Sequence, residues 1–97
     1  MSTSGAVTER DWTEQQGQYL AFIYMYTVVN GRPPAEADMQ RLFCVTPPSV
    51  HRMVIELAER GLLKRVPGQS RSLEVLIDPE LLPRLQVQPI TTTVAGY

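Results

Sequence analysis

Asp38-Met39-Gln40-Arg41-Leu42-Phe43-Cys44-Val45-Thr46-Pro47-Pro48-Ser49-Val50-His51-Arg52-Met53-Val54-Ile55-Glu56-Leu57-Ala58-Glu59-Arg60-Gly61-Leu62-Leu63 is the stretch whose reading decides the fold. Two amphipathic helices meet in it across a very short break. In the first, Ala35, Met39 and Leu42 or Phe43 recur at helical steps, with Glu36, Asp38, Gln40 and Arg41 off that face. Cys44-Val45 interrupts the period. Thr46-Pro47-Pro48 restarts it, since threonine caps a helix and proline at its first position loses only an amide hydrogen without a helical partner. Val50, Met53, Val54 and Leu57 then share one face, with Ala58 beside them, and Gly61 ends the helix after Arg60. Met39, Val45, Val50, Val54 and Leu57 are expected to lock the two helices together.

Upstream, Thr13-Glu14-Gln15-Gln16 reads as a capping box with Trp12 placed to staple the first turn. An apolar run follows to Val29, and Asn30-Gly31 with Arg32-Pro33-Pro34 closes a helix of about 17 residues. Downstream of Gly61 the period becomes extended. Leu62 to Val66 and Ser72 to Ile77 read as two strands around the turn Pro67-Gly68-Gln69-Ser70, with one further helical turn from Asp78 through Leu82. Residues 1–10 are expected to be disordered, residues 11–85 to form the domain, and residues 86–97 to be a disordered or partner-paired tail.

Three helices and a hairpin, with a short turn between the second and third, make a mainly α chain with a small β-hairpin: a winged helix-turn-helix. The bulk properties agree. Ninety-seven residues, 43% hydrophobic and 20% charged, suit one globular domain with a single modest core. No apolar run approaches the roughly 20 residues of a membrane-spanning helix, and the N-terminus lacks a secretory pattern, so a cytoplasmic protein with no membrane contact is expected. A single Cys44 and a single His51 leave too few soft ligands for a structural zinc, and neither metal nor cofactor is expected. Net charge is -1, but residues 47–77 set Arg52, Arg60, Lys64, Arg65 and Arg71 against only Glu56, Glu59 and Glu74. The basic excess therefore lies on the third helix and hairpin, where a groove-reading module needs it.

Residues 12–77 resemble the DNA-binding domain of LexA-type repressors and, more loosely, MarR-like regulators. The resemblance rests on Trp12-Thr13-Glu14-Gln15-Gln16, Asn30-Gly31-Arg32-Pro33-Pro34, Leu57-Ala58-Glu59-Arg60-Gly61-Leu62-Leu63 and Pro67-Gly68-Gln69-Ser70-Arg71-Ser72-Leu73. It implies a sequence-specific DNA-binding transcriptional regulator with double-stranded DNA as partner. Position 44 is cysteine where these families favour glycine. No self-cleaving C-terminal domain is expected, and hence no cleavage-triggered switch.

Within that frame Ser49, His51 and Arg52 lie in the first two turns of the third helix, where side chains reach base edges, and Arg52 suits bidentate pairing with guanine. Thr46 caps the helix and can touch phosphate. Lys64, Arg65 and Arg71 on the wing suit the DNA backbone. Without the motif these side chains would read as solvated surface, and a winged helix that serves protein–protein contact without binding DNA is the alternative function. Catalysis is not expected: Ser49 and His51 diverge by about 200° around a helix and cannot form a nucleophile–base pair. Cys44 reads as a small packing residue. Residues 19–29 carry no charge, and Tyr19, Phe22 and Tyr26 are expected to anchor a homodimer unless the wing and the turn at Leu81, Leu82 and Leu85 cover the surplus.

Overall fold

Local capping chemistry sets every helix boundary in the computed structural model, which describes residues 12–86. Helix α1 runs Glu14–Asn30. Its capping box is complete: Gln16 N–H donates to Thr13 Oγ1 at 3.1 Å, and Thr13 N–H donates to Gln16 Oε1 at 2.9 Å. Gly31 ends it at φ 76°, donating to the Thr27 carbonyl. Helix α2, Glu36–Phe43, has no capping oxygen on Ala35, so Asp38 Oδ2 accepts the Ala35 N–H at 2.8 Å instead. Helix α3, Pro47–Glu59, starts from Thr46 with prolines in its first two positions. Its end is a Schellman turn, with Gly61 N–H on Ala58 O and Leu62 N–H on Leu57 O.

The turn between α2 and α3 is built the same way around a residue that is not glycine. Cys44 holds φ 54° and ψ 48°, and the N–H groups of Cys44 and Val45 both donate to the Gln40 carbonyl. A left-handed position of this kind suits glycine, which has no Cβ to crowd it.

Strands β1 (Leu63–Lys64) and β2 (Glu74–Val75) pair antiparallel, Leu63 opposite Val75 and Lys64 opposite Glu74. The ladder is shorter than the expected spans 62–66 and 72–77. Beyond Lys64 a side chain replaces it: Val66 N–H donates to Ser72 Oγ at 2.9 Å, Pro67 has no N–H to offer, and Arg71 turns left-handed at φ 54°. After the wing, Asp78 caps a 3-10 turn, Pro79–Leu81, shorter than the helical turn expected through Leu82.

The core joins all three helices to the base of the wing. Tyr19, Leu20 and Ile23 of α1, Met39 of α2, Val50, Val54 and Leu57 of α3, and Leu62, Leu63 and Leu73 are buried together. Val45 packs at its margin. Tyr19 stacks on Phe43 with ring centroids 4.4 Å apart, and Phe22 meets Phe43 edge-on at 6.0 Å. This corrects the expectation that Tyr19 anchors a second copy. At 1% exposure it is part of its own chain's core, because the α2 ring supplies the face that it needs. The other side of α1 is partly covered by residues 79–86. Gln18 ties them down, with its Nε2 donating to Arg84 O and its Oε1 accepting Gln86 N–H, while Leu82 packs on the core. Met25, Val28 and Val29 stay exposed. No helix among the described residues is long and apolar enough to cross a membrane. The expectations for residues 1–10 and for the tail beyond Gln86 lie outside the described residues.

Candidate nucleic-acid interface

Because Val50, Val54 and Leu57 turn one side of α3 into the core, the opposite side is left to solvent. Ser49, His51 and Arg52 are all exposed on that helix, in its first two turns. Thr46 organises the start: its hydroxyl accepts the Ser49 N–H at 3.4 Å and donates to Ser49 Oγ at 2.9 Å. The Ser49 hydroxyl stays exposed and retains capacity for a phosphate or base partner.

His51 Nδ1 lies 3.3 Å from Glu36 Oε1, so a cross-link joins the starts of α2 and α3 while the ring stays exposed. Arg52 lines a shallow groove with Gln15, Tyr19, Val45, Ser49, Met53 and Glu56. It forms no ion pair among the described residues, so its guanidinium fork is available to an acceptor from outside.

The wing brings a second set of groups to the same side. A groove of about 370 Å³ runs between the start of α2 and the hairpin tip, lined by Glu36, His51, Arg65, Gln69, Ser70 and Ser72 among others. His51 and Arg65 thus meet across one opening, although 14 positions separate them in the chain. Lys64 is exposed on β1 opposite Glu74, which offsets part of its charge.

Arg71 departs from the expected arrangement. Grouped with Lys64 and Arg65 as a wing cation facing DNA, it instead folds inward: its Nη1 lies 3.2 Å from Asp38 Oδ2, 3.3 Å from Tyr26 Oη and 3.3 Å from the Pro33 carbonyl. The physical reason is acceptor supply. Three oxygens converge where α1, the 31–35 loop and α2 meet, and the two N–H groups of the charged Nη1 are shared among them. The Tyr26 hydroxyl foremost, then Asp38, raises the Arg71 pKa above its ordinary value. Asp38 is held below the usual carboxylate range, chiefly by the Ala35 N–H and further by Arg71 and Arg41. Neither Asp38 nor Tyr26 carries a sequence signal for this role. Their partner lies 33 and 45 positions away, beyond any helical or strand period.

Among the described residues no cluster of three or more His, Cys, Asp or Glu side chains could hold a metal ion. The family model of the LexA DNA binding domain matches residues 9–72. A LexA repressor of Oleidesulfovibrio alaskensis is 35% identical over 93 residues, which cover 95% of this chain and 45% of that relative. The chain thus spans a little under half the length of the repressor it matches. Helix-turn-helix geometry, wing and sequence agree: the chain belongs to the LexA DNA-binding domain family.

Proposed function

We propose that the chain is a cytoplasmic, sequence-specific DNA-binding regulator of transcription, of the repressor type. Helix α3 enters the major groove with Ser49, His51 and Arg52 toward base edges, Thr46 meets a phosphate, and Lys64 and Arg65 of the wing follow the adjoining backbone. The observation that carries this reading is the meeting of His51 and Arg65 across one groove, next to an exposed Arg52 that forms no ion pair among the described residues. Half-site reading favours a homodimer. Phe22 and Tyr26 remain half-buried, and the exposed Met25, Val28 and Val29 on the same helix extend the apolar surface that a second copy would cover.

Titration of the chain with duplexes at rising salt tests the proposal. Each phosphate contact contributes about 0.9 to the slope of log affinity against log salt. Lys64→Gln with Arg65→Gln should flatten that slope by about 1.8, two such contributions. Arg52→Ala should cost ~1–3 kcal/mol on a selected site and little on random duplex. A wild-type chain indifferent to duplex at low salt favours the protein-contact alternative. Sedimentation tests the dimer: about twice 10.9 kDa is expected, reverting to the monomer in Val28→Glu/Val29→Glu.

A further inference from the structure

The base of the wing packs on the helices, β1 against α3 and β2 against α1, but its own strand pairing is slight. Its ladder is two residues long on each side, and a hairpin of that size is marginal on its own. Leu63 and Leu73 anchor its base in the core, while residues 66–70 at its tip are exposed. Between base and tip, the Arg71 side chain leaves the hairpin and crosses to Tyr26 of α1, the Pro33 carbonyl and Asp38 of α2. Asp38 is itself immobilised by the Ala35 N–H and by its ion pair with Arg41.

We propose that Arg71 is a positioning residue that fastens the wing to the reading unit and thereby sets where Lys64 and Arg65 meet the DNA backbone, without touching DNA itself. The clamp joins four segments through one planar group, so the wing angle is coupled to α2, the helix that packs directly against α3. Reach matters more than the charge. All three contacts converge on Nη1, and a lysine ammonium at position 71 keeps the positive charge but ends one bond short of where that nitrogen sits. The DNA part of this inference rests on the proposed function, and the fastening of the wing does not.

Two measurements on the full chain separate these parts. Amide hydrogen exchange on the free protein should show the wing, residues 63–76, opening at least threefold faster in Arg71→Lys and Arg71→Gln, with α3 unchanged. Tyr26→Phe, which removes one acceptor, should fall between. Unchanged wing exchange in all three variants overturns the fastening. In duplex titrations Arg71→Lys should flatten the salt slope by about 1.8, because both wing cations then leave their phosphates. Lys64→Gln/Arg65→Gln should flatten it no further when combined with Arg71→Lys. A wild-type slope in Arg71→Lys, or Arg71→Gln flattening the slope by about 0.9 more than Arg71→Lys, would mean that residue 71 contacts phosphate directly and overturns the inference. A wild-type chain that binds no duplex refutes the functional reading, and the exchange result then judges the wing alone.

Discussion

Replacing Cys44 with glycine should make the domain more stable. Cys44 sits at φ 54°, ψ 48°, where a Cβ crowds the following carbonyl at a cost of roughly 1–2 kcal/mol. Glycine removes that strain but has more backbone freedom to lose on folding, roughly 0.5–1 kcal/mol. Little else changes, because the side chain is exposed and, among the described residues, its one polar contact is Sγ to the Arg41 carbonyl at 3.8 Å. The balance is a gain of about 0.5–1 kcal/mol, which for a domain this size raises Tm by roughly 2–8 °C. Circular dichroism melts at 222 nm under reductant would measure it, the reductant keeping exposed thiols from linking chains. Cys44→Ala is the decisive control: it keeps the Cβ and discards the thiol, and should melt with the wild type. Cys44→Val should melt lower, since a branched Cβ is least tolerated at positive φ. A Cys44→Ala gain equal to that of Cys44→Gly would locate the effect in the thiol and refute the strain argument, as would a Cys44→Gly loss.

Acid should weaken the domain through Asp38. Its carboxyl pKa is depressed in the fold, so its contribution is complete above the unfolded value of about 3.9 and is lost as pH falls through the lower folded value. Asp38→Asn should therefore cost about 1 kcal/mol at pH 7, the difference between charged and neutral acceptors, and the gap should close in melts at the acid end; a gap independent of pH would mean the charge is irrelevant. Gly17→Ala should destabilise by about 1 kcal/mol. A new Cβ there would stand 2.9 Å from the Trp12 ring and 3.0 Å from Pro83, and overpacking of ~1–3 kcal/mol outweighs the helix-propensity gain of about 1. Emission of the single tryptophan should shift with it, and a higher Tm with unchanged emission would show that the ring yields freely.

The chain's own residues determined the elements, because the signals that start and stop them act over three or four positions. Thr13 with Gln16, Thr46 with Pro47, and the left-handed sites at Gly31, Cys44 and Gly61 are each complete within a single turn. Periodicity likewise assigned Met39, Val50, Val54 and Leu57 to the core, since a helix presents one side to one neighbour. Which partner each side chain meets was decided by the tertiary structure. Tyr19 looked like surplus until Phe43, 24 positions on, stacked against it, and the back of α1 looked bare until residues 79–86 lay over part of it. Arg71 shows the limit most clearly. In the sequence it is a third cation on a basic hairpin, with the same charge and the same exposed surroundings as Lys64 and Arg65. Only the fold brings Asp38, Tyr26 and the Pro33 carbonyl to one point, and a guanidinium within reach of three partly buried oxygens turns toward them because charge-assisted hydrogen bonds there outweigh those it gives up to water.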